Sequence, residues 1–206
     1  MHGPQGDEAA LLTPPDTRLT LTRMKRSLLL ALLLVAAAAA CKRSPTVQDQ
    51  IAAFIPQLQD PSPEVNQKAA AELMKIGAPA AAPVAELLRH EDPQVRSRAA
   101  SVIWGMGVNG RVAAPNLAAL LSDPQGDVRV AAAMALENMG REARVAVPEL
   151  IRALDDPEGS VRMWAVKALG RIGPEAKPAV PALHRLSKKQ ESMEIVVREA
   201  LREIQR

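Results

Sequence analysis

A single cysteine, one histidine beside an acid, and a set of recurring arginines could do chemistry in this sequence. Cys41 could serve as a nucleophile or an attachment point. As the one cysteine, it excludes an internal disulfide and a multi-thiolate zinc site. His90-Glu91 is a donor pair of the kind that ligates metals, but it stands alone. His184 is followed by Arg185, and the matching positions elsewhere are Ser122-Asp123 and Asp155-Asp156. One pair supplies too few ligands, so both histidines are read as surface residues and no metal is expected. Arg96, Arg129 and Arg162 recur beside a valine in a repeated pattern. A row of arginines could hold anions. Repetition explains them without a ligand, as a structural ladder of ion pairs to Asp92, Asp123 and Asp156 in neighbouring turns. No Ser-His-acid set and no working pair of carboxylates can be argued. No catalytic residue and no cofactor is therefore assigned.

Composition narrows the classes. The chain has 206 residues, 48% of them hydrophobic, with one Phe, two Trp and no Tyr. A single compact core ordinarily uses more large rings. Abundant alanine suits closely packed helices, since Ala is the best helix former and lets backbones approach. Beyond Cys41 there are 22 lysines and arginines against 20 acids, which is no nucleic-acid footprint.

The elements that position these residues come from an internal repeat. The run from Asp123 to Leu154 is matched closely by the next 33 residues, and two relatives lie upstream. Val65, Val95, Val128 and Val161 each precede a glycine by twelve residues: Gly77, Gly107, Gly140 and Gly173. Pro83, Pro115, Pro148 and Pro181 follow, each before a Leu-rich stretch. The glycine spacings are 30, 33 and 33, and the proline spacings 32, 33 and 33. A helical period predicts buried stripes: Val65, Ala69, Leu73, Ile76, then Val95, Ala99, Ile103, Met106, and so on through Ile172. Ser62 and Asp92 are expected to cap the first helices before Pro63 and Pro93. In the two longer units the expected cap moves to Asp127 and Ser160, with Gly126 and Gly159 loosening the turn before it. The glycines are expected to stop each helix in a left-handed conformation. A shorter second helix should follow each stop, entered through its proline. In the last unit Pro178 competes with Pro181 for that position. An apolar half-unit at 51–58 opens the array, and the stretch 193–204 closes it as a cap with one solvated face.

The D-P-x-V-R-x-x-A-A-x-A-L-x-x-x-G unit, followed by A-V-P-x-L-x-x-L, resembles the HEAT repeat, in the short form found in phycobilisome lyases. The resemblance implies an all-α fold, a right-handed alpha-alpha superhelix of about four complete helical hairpins plus terminal capping helices. The repeats fall at about 60–90, 91–122, 123–155 and 156–187, with a cap at 188–206. Ladders of Arg and Asp are common in such arrays. Deoxyhypusine hydroxylase resembles this fold and builds a di-iron site from several His-Glu pairs, where this chain has one. Nothing marks a bilin pocket as in the lyases. HEAT-like DNA glycosylases use a basic groove, which the near-neutral balance opposes. The resemblance is specific for fold and poor for function.

Two tryptophans are the best surface leads. Trp164 stands where other units place Lys68, Arg98 and Ala131, and Trp104 where they place Met74, Glu137 and Gly170. Both positions lie off the buried stripe. Aromatics favour binding anchors, so they are candidates for a partner surface. Trp104 could equally fill a gap beside Gly105.

The N-terminus reads as targeting. Residues 1–23 are polar and aperiodic. Lys25 and Arg26 then precede an uncharged stretch from Ser27 to Ala40, the pattern of a secretory signal over 24–40. Fourteen uncharged residues are too few for a comfortable membrane span. Basic residues ordinarily open a signal, so a translation start at Met24 is an alternative to Met1. Ala38-Ala39-Ala40-Cys41 resembles the lipobox of bacterial lipoproteins, with Ala38 where Leu is usual. That resemblance implies lipidation of Cys41 and a tether over 41–49. Lys42 in place of Asp favours the outer membrane. Plain cleavage, giving a soluble secreted or periplasmic protein, stays open. The resulting expectation is a non-enzymatic interaction scaffold anchored at the periplasmic face of the envelope and binding another envelope protein. A regulatory or accessory subunit of an envelope enzyme or transport complex is the alternative, and a lyase- or hydroxylase-type enzyme a distant third.

Overall fold

The computed structural model describes residues 44–206. The leader, the signal stretch and Cys41 lie outside the described residues. Among the described residues every regular element is helical. Long helices α2 (Pro63–Ile76), α4 (Pro93–Met106), α6 (Gly126–Met139) and α8 (Gly159–Ile172) each run 14 residues. Between and after them come shorter arms: α3 (Ala78–Glu86), α5 (Ala114–Leu120), α7 (Val147–Ala153) and α9 (Val180–Lys189). Helix α1 (Val47–Leu58) opens the array and α10 (Glu194–Gln205) closes it. No described helix is long and apolar enough to cross a membrane.

The array has two layers. Each long helix packs on the long helix of the next unit, ending with α8 on α10. The short arms form the second layer. Alanines 69, 99, 132 and 165 are fully buried at one place in the stripe, where a larger side chain would hold neighbouring helices apart. The stripe is complete in the inner units, with Val95, Ile103, Val128, Leu136, Val161 and Leu169 all buried. In the first unit Val65 and Ile76 are only half-buried, α1 being the described helix that packs on α2 from that side.

Helix starts differ from the sequence expectation in the longer units. Asp92 does cap α4, its Oδ1 accepting from the Gln94 amide at 2.8 Å. Ser62 precedes α2, but its side chain makes no capping bond. Helices α6 and α8 begin at Gly126 and Gly159, with Gln125 and Glu158 in the N-cap position instead of Asp127 and Ser160, and neither side chain makes a capping bond. The cause lies in the preceding acids. Asp123 Oδ1 accepts from the Gln125 amide and Asp156 Oδ1 from the Glu158 amide, both at 2.9 Å. Each closes a tight Asx turn two residues ahead. With two more residues between this Asp and the ladder arginine than the Asp92 unit has, the helix starts after the turn and each glycine becomes its first residue.

The helix stops are also more particular than expected. Gly140 has φ 56° and ψ −129°, and Gly77, Gly107 and Gly173 are alike. The positive φ was expected, but ψ has the opposite sign from a left-handed helical residue. This region is closed to side chains generally, Asn included.

The second arms are not simple helices. In three units a 3₁₀ run comes first: Gly107–Ala113, Gly140–Ala146 and Gly173–Ala179. Its buried residues, Gly110 with Ala113, Ala143 with Ala146, and Ala176 with Ala179, lie three apart. Side chains three apart eclipse in a 3₁₀ helix, and only small ones fit under the long helix. Pro115, Pro148 and Pro181 fall in the first two positions of the α-helix that follows, where no amide partner is lost. Pro178 sits inside the 3₁₀ run and does not open α9.

Candidate functional site

The arginines sit in the first turn of the long helices, beside the Asp-Pro turns. Arg96 forks onto the next unit's Asp123, Nε donating to Oδ2 at 2.7 Å and Nη2 to Oδ1 at 3.0 Å. Its Nη1 donates backwards to the carbonyls of His90 and Glu91, both at 2.8 Å. Arg129 repeats the arrangement on Asp156 at 2.8 and 3.0 Å, with Nη1 on the Asp123 carbonyl at 3.0 Å. These side chains are 12% and 11% exposed, and their acids 5% and 8%. The Asp156 hydrogen bond, opposed by burial, raises the Arg129 guanidinium above its ordinary range. Each arginine thus ties its own turn to the next.

Two of the expected rungs are absent. Among the described residues Asp92 meets no arginine. The place held by Asp123 and Asp156, six residues before the arginine of their own unit, is His90 here, and the preceding unit has Asn66 in place of the ladder arginine. That side chain reaches only its own turn, Nδ2 donating to the Asp60 carbonyl at 3.0 Å. Arg162 keeps the backward bonds, to the carbonyls of Asp156 and Pro157 at 2.7 and 2.9 Å. Ahead of it stands no Asp. Nε donates instead to Gln190 Oε1 at 3.2 Å. A separate tie was missed from sequence: Arg98 Nη1 donates to the carbonyls of Leu58 and Asp60 at 2.7 and 3.0 Å, pinning α4 to the end of α1.

The tryptophans are set apart, on α4 and α8 with α6 between them. Trp104 is 44% exposed, and its carbonyl accepts from Asn138 Nδ2 at 2.7 Å. Trp164 is half-buried against the core, with Lys167 Nζ 4.5 Å from its ring centroid. Sequence reasoning missed a row beside it. Val130, Met163 and Ile195 occupy one register position in three successive helices, where the first units have Gln67 and Ser97. Val130 and Met163 are half-buried and Ile195 is 71% exposed. The signal was present in the sequence as an apolar residue two places after the stripe valine or Met193.

The histidines do not converge. His90 Nδ1 accepts from the Asp92 amide at 3.0 Å, and His184 is exposed on α9. Among the described residues no three His, Cys, Asp or Glu side chains are grouped to hold a metal ion. Shallow hollows lie beside α10. Gly170, where other units have Met74, Trp104 and Glu137, lets α10 close onto α8. A Cβ at Gly170 would lie 2.9 Å from the Ala200 Cα.

Comparison with known proteins agrees with this geometry. No curated protein matches the chain. An engineered protein of solved structure is 23% identical, covers 95% of this chain and 94% of its own, and superposes with a TM-score of 0.59. The CpcE–CpcF complex of phycocyanin lyase from Nostoc sp. PCC7120 is 17% identical, over 73% of this chain and 97% of that one, with a TM-score of 0.62. A designed armadillo repeat protein in complex with a (KR)4 peptide is 19% identical, over 94% and 96%, with a TM-score of 0.61. Identities this low establish the fold alone. The family model for HEAT repeats matches residues 31–104, 82–146 and 113–204. With helical pairs stacked throughout the described residues and that match across most of its length, the chain belongs to the HEAT repeat family.

Proposed function

We propose that the chain is a non-enzymatic scaffold, held at the bacterial cell envelope by a lipid on Cys41, that offers one face of its stack to another envelope protein. The observation that supports this reading is the apolar row on the long-helix layer. Val130, Met163 and Ile195, with Trp164 alongside, leave apolar surface open across three successive helices. Contiguous apolar surface on an otherwise charged protein is typical of an interaction site. Trp104, in the same layer two helices before α8, adds an exposed aromatic anchor.

Location and binding are tested separately. Cys41→Ser should abolish palmitate labelling and release the protein from the membrane fraction; an unlabelled parent would remove the anchor. Site-specific crosslinking in cells from Met163 and Ile195 should yield one discrete adduct, lost in Trp104→Ala. Only diffuse crosslinks, equal to those from Gln67, would remove the proposed face.

A further inference from the structure

Balanced charge conceals an uneven distribution. Residues 44–206 carry 20 lysines and arginines and 20 acids. Between Ala176 and Gln190 lie Lys177, Arg185, Lys188 and Lys189, and no acid at all. All four are exposed, and none forms an ion pair with another described residue. The helix dipole favours Lys188 and Lys189 in the last turn of α9. It does not account for Arg185 one turn earlier, which faces like charge at Lys189 four residues on, nor for Lys177 before the helix.

A second observation points the same way. Arg162 is the one ladder arginine facing an amide instead of a carboxylate. Arg96 and Arg129 are neutralised by Asp123 and Asp156, while Arg162 has only Gln190. Arg162, Lys189 and Gln190 line one hollow beside α9, along with Asp155 and with Asp156, which Arg129 already holds. Positive charge is therefore left over at the C-terminal end of the short-arm layer.

We infer that the outer face of α9, through Lys177, Arg185, Lys188 and Lys189, docks a short acidic segment of a partner protein. The charge pattern favours a protein over a uniform polyanion. Asp155 shares a hollow with Lys189, and exposed Glu191 follows two residues on, so a lipid headgroup layer or nucleic-acid backbone would meet these acids too. The short arms also carry no Phe, Tyr or Trp to sit in a bilayer interface, and α9 offers bases a single imidazole, His184, in place of a stacking platform. Helix α9 has ten residues and spans about 15 Å. About five extended residues cover that length. Arg185 can take a carboxylate through two parallel bonds, and the lysines act as point charges. This inference rests on the reading of the chain as a binding array, but not on its envelope location or on the Trp104 face.

The test is fluorescence anisotropy of the purified chain with a labelled decapeptide of alternating Glu and Asp. Its twin of alternating Gln and Asn, phosphatidylglycerol vesicles and an oligothymidine strand are run beside it. The acidic peptide should bind, and its amide twin should not. The double variant Lys188→Glu, Lys189→Glu should weaken binding about tenfold with an unchanged circular dichroism spectrum. Lys68→Glu with Lys75→Glu, at the far end of the array, should leave it unchanged. Trp104→Ala should also leave it unchanged, so the two readings fail separately. Equal loss in both double variants would overturn the assignment. So would binding to the vesicles or the oligonucleotide without binding to the acidic peptide.

Discussion

Arg96 holds the carbonyls of its own turn and the carboxylate of the next unit with one planar group. Removing Asp123 would strand a guanidinium that is 12% exposed. Asp123→Ala should therefore lower stability by about 2–4 kcal/mol, read as a lower urea midpoint at unchanged slope. Asp123→Asn should lose less, because its oxygen can still accept from the Gln125 amide. The opposite change is available at the last rung. Gln190→Glu places a carboxylate where Arg162 now meets an amide, and should add about 1 kcal/mol. Glu175 gives the pH-dependent case. Arg141 donates to it through Nε at 2.7 Å and also through Nη2. Those bonds first, and its own backbone amide second, hold its carboxyl below the ordinary value of 4.5. A lowered folded-state value means that the contribution is complete above the unfolded value and is lost as pH falls through the folded one. The thermal midpoints of the parent and Glu175→Gln should differ at pH 7 and converge as the pH is lowered from 4.5 through the depressed folded-state value.

At the scale of elements, the glycine stops set how each long helix hands over to its short arm. Gly140 at φ 56° and ψ −129° lies outside the left-handed region that Asn tolerates. Gly140→Asn should therefore destabilise as much as Gly140→Ala, by about 1–3 kcal/mol; near-neutral Asn would mean that the stop relaxes into a left-handed cap. Gly170→Ala should act elsewhere. Its Cβ would push α10 away, so amide exchange should quicken over 194–205 while α4 and α6 stay protected. The long helices were legible in the sequence because valine, alanine, leucine and glycine recur on a 3.6 period. The 3₁₀ lead-ins were missed because their signal is small residues three apart, which in an alanine-rich chain looks like more helix. The helix starts at Gly126 and Gly159 were missed because the side chain that closes each turn, Asp123 or Asp156, lies three residues earlier. The ladder was legible as a repeat, but the Asn66 and Gln190 exceptions were legible only as gaps. Trp164 looked more exposed than it is because Lys167 and the core share its surface.

For the array as a whole, stability comes from contacts between neighbours, so an end must be closed by something unlike a repeat. Helix α10 closes the C-terminal end. Val197, Ala200 and Ile204 are buried, while Arg198, Glu199, Arg202 and Glu203 face outward. It packs on α8, whose Val166, Leu169 and Ile172 are within 1% of complete burial. Deleting 190–206 would uncover the side of α8 that packs on α10 and remove the forward partner of Arg162 together, leaving only its bonds to its own turn. Fully exposing three such side chains costs about 1.5–3 kcal/mol each, comparable with the whole stability of a marginal domain. The truncated chain should bind a hydrophobic dye and self-associate through α8, whereas the parent should not. Because coupling runs from neighbour to neighbour, its damage should be graded: amides of α8 lose most protection, α6 less, and α2 little. A uniform loss from α2 to α8 would mean that the stack unfolds as one unit, and the rungs between units would then couple the array more strongly than nearest-neighbour packing alone.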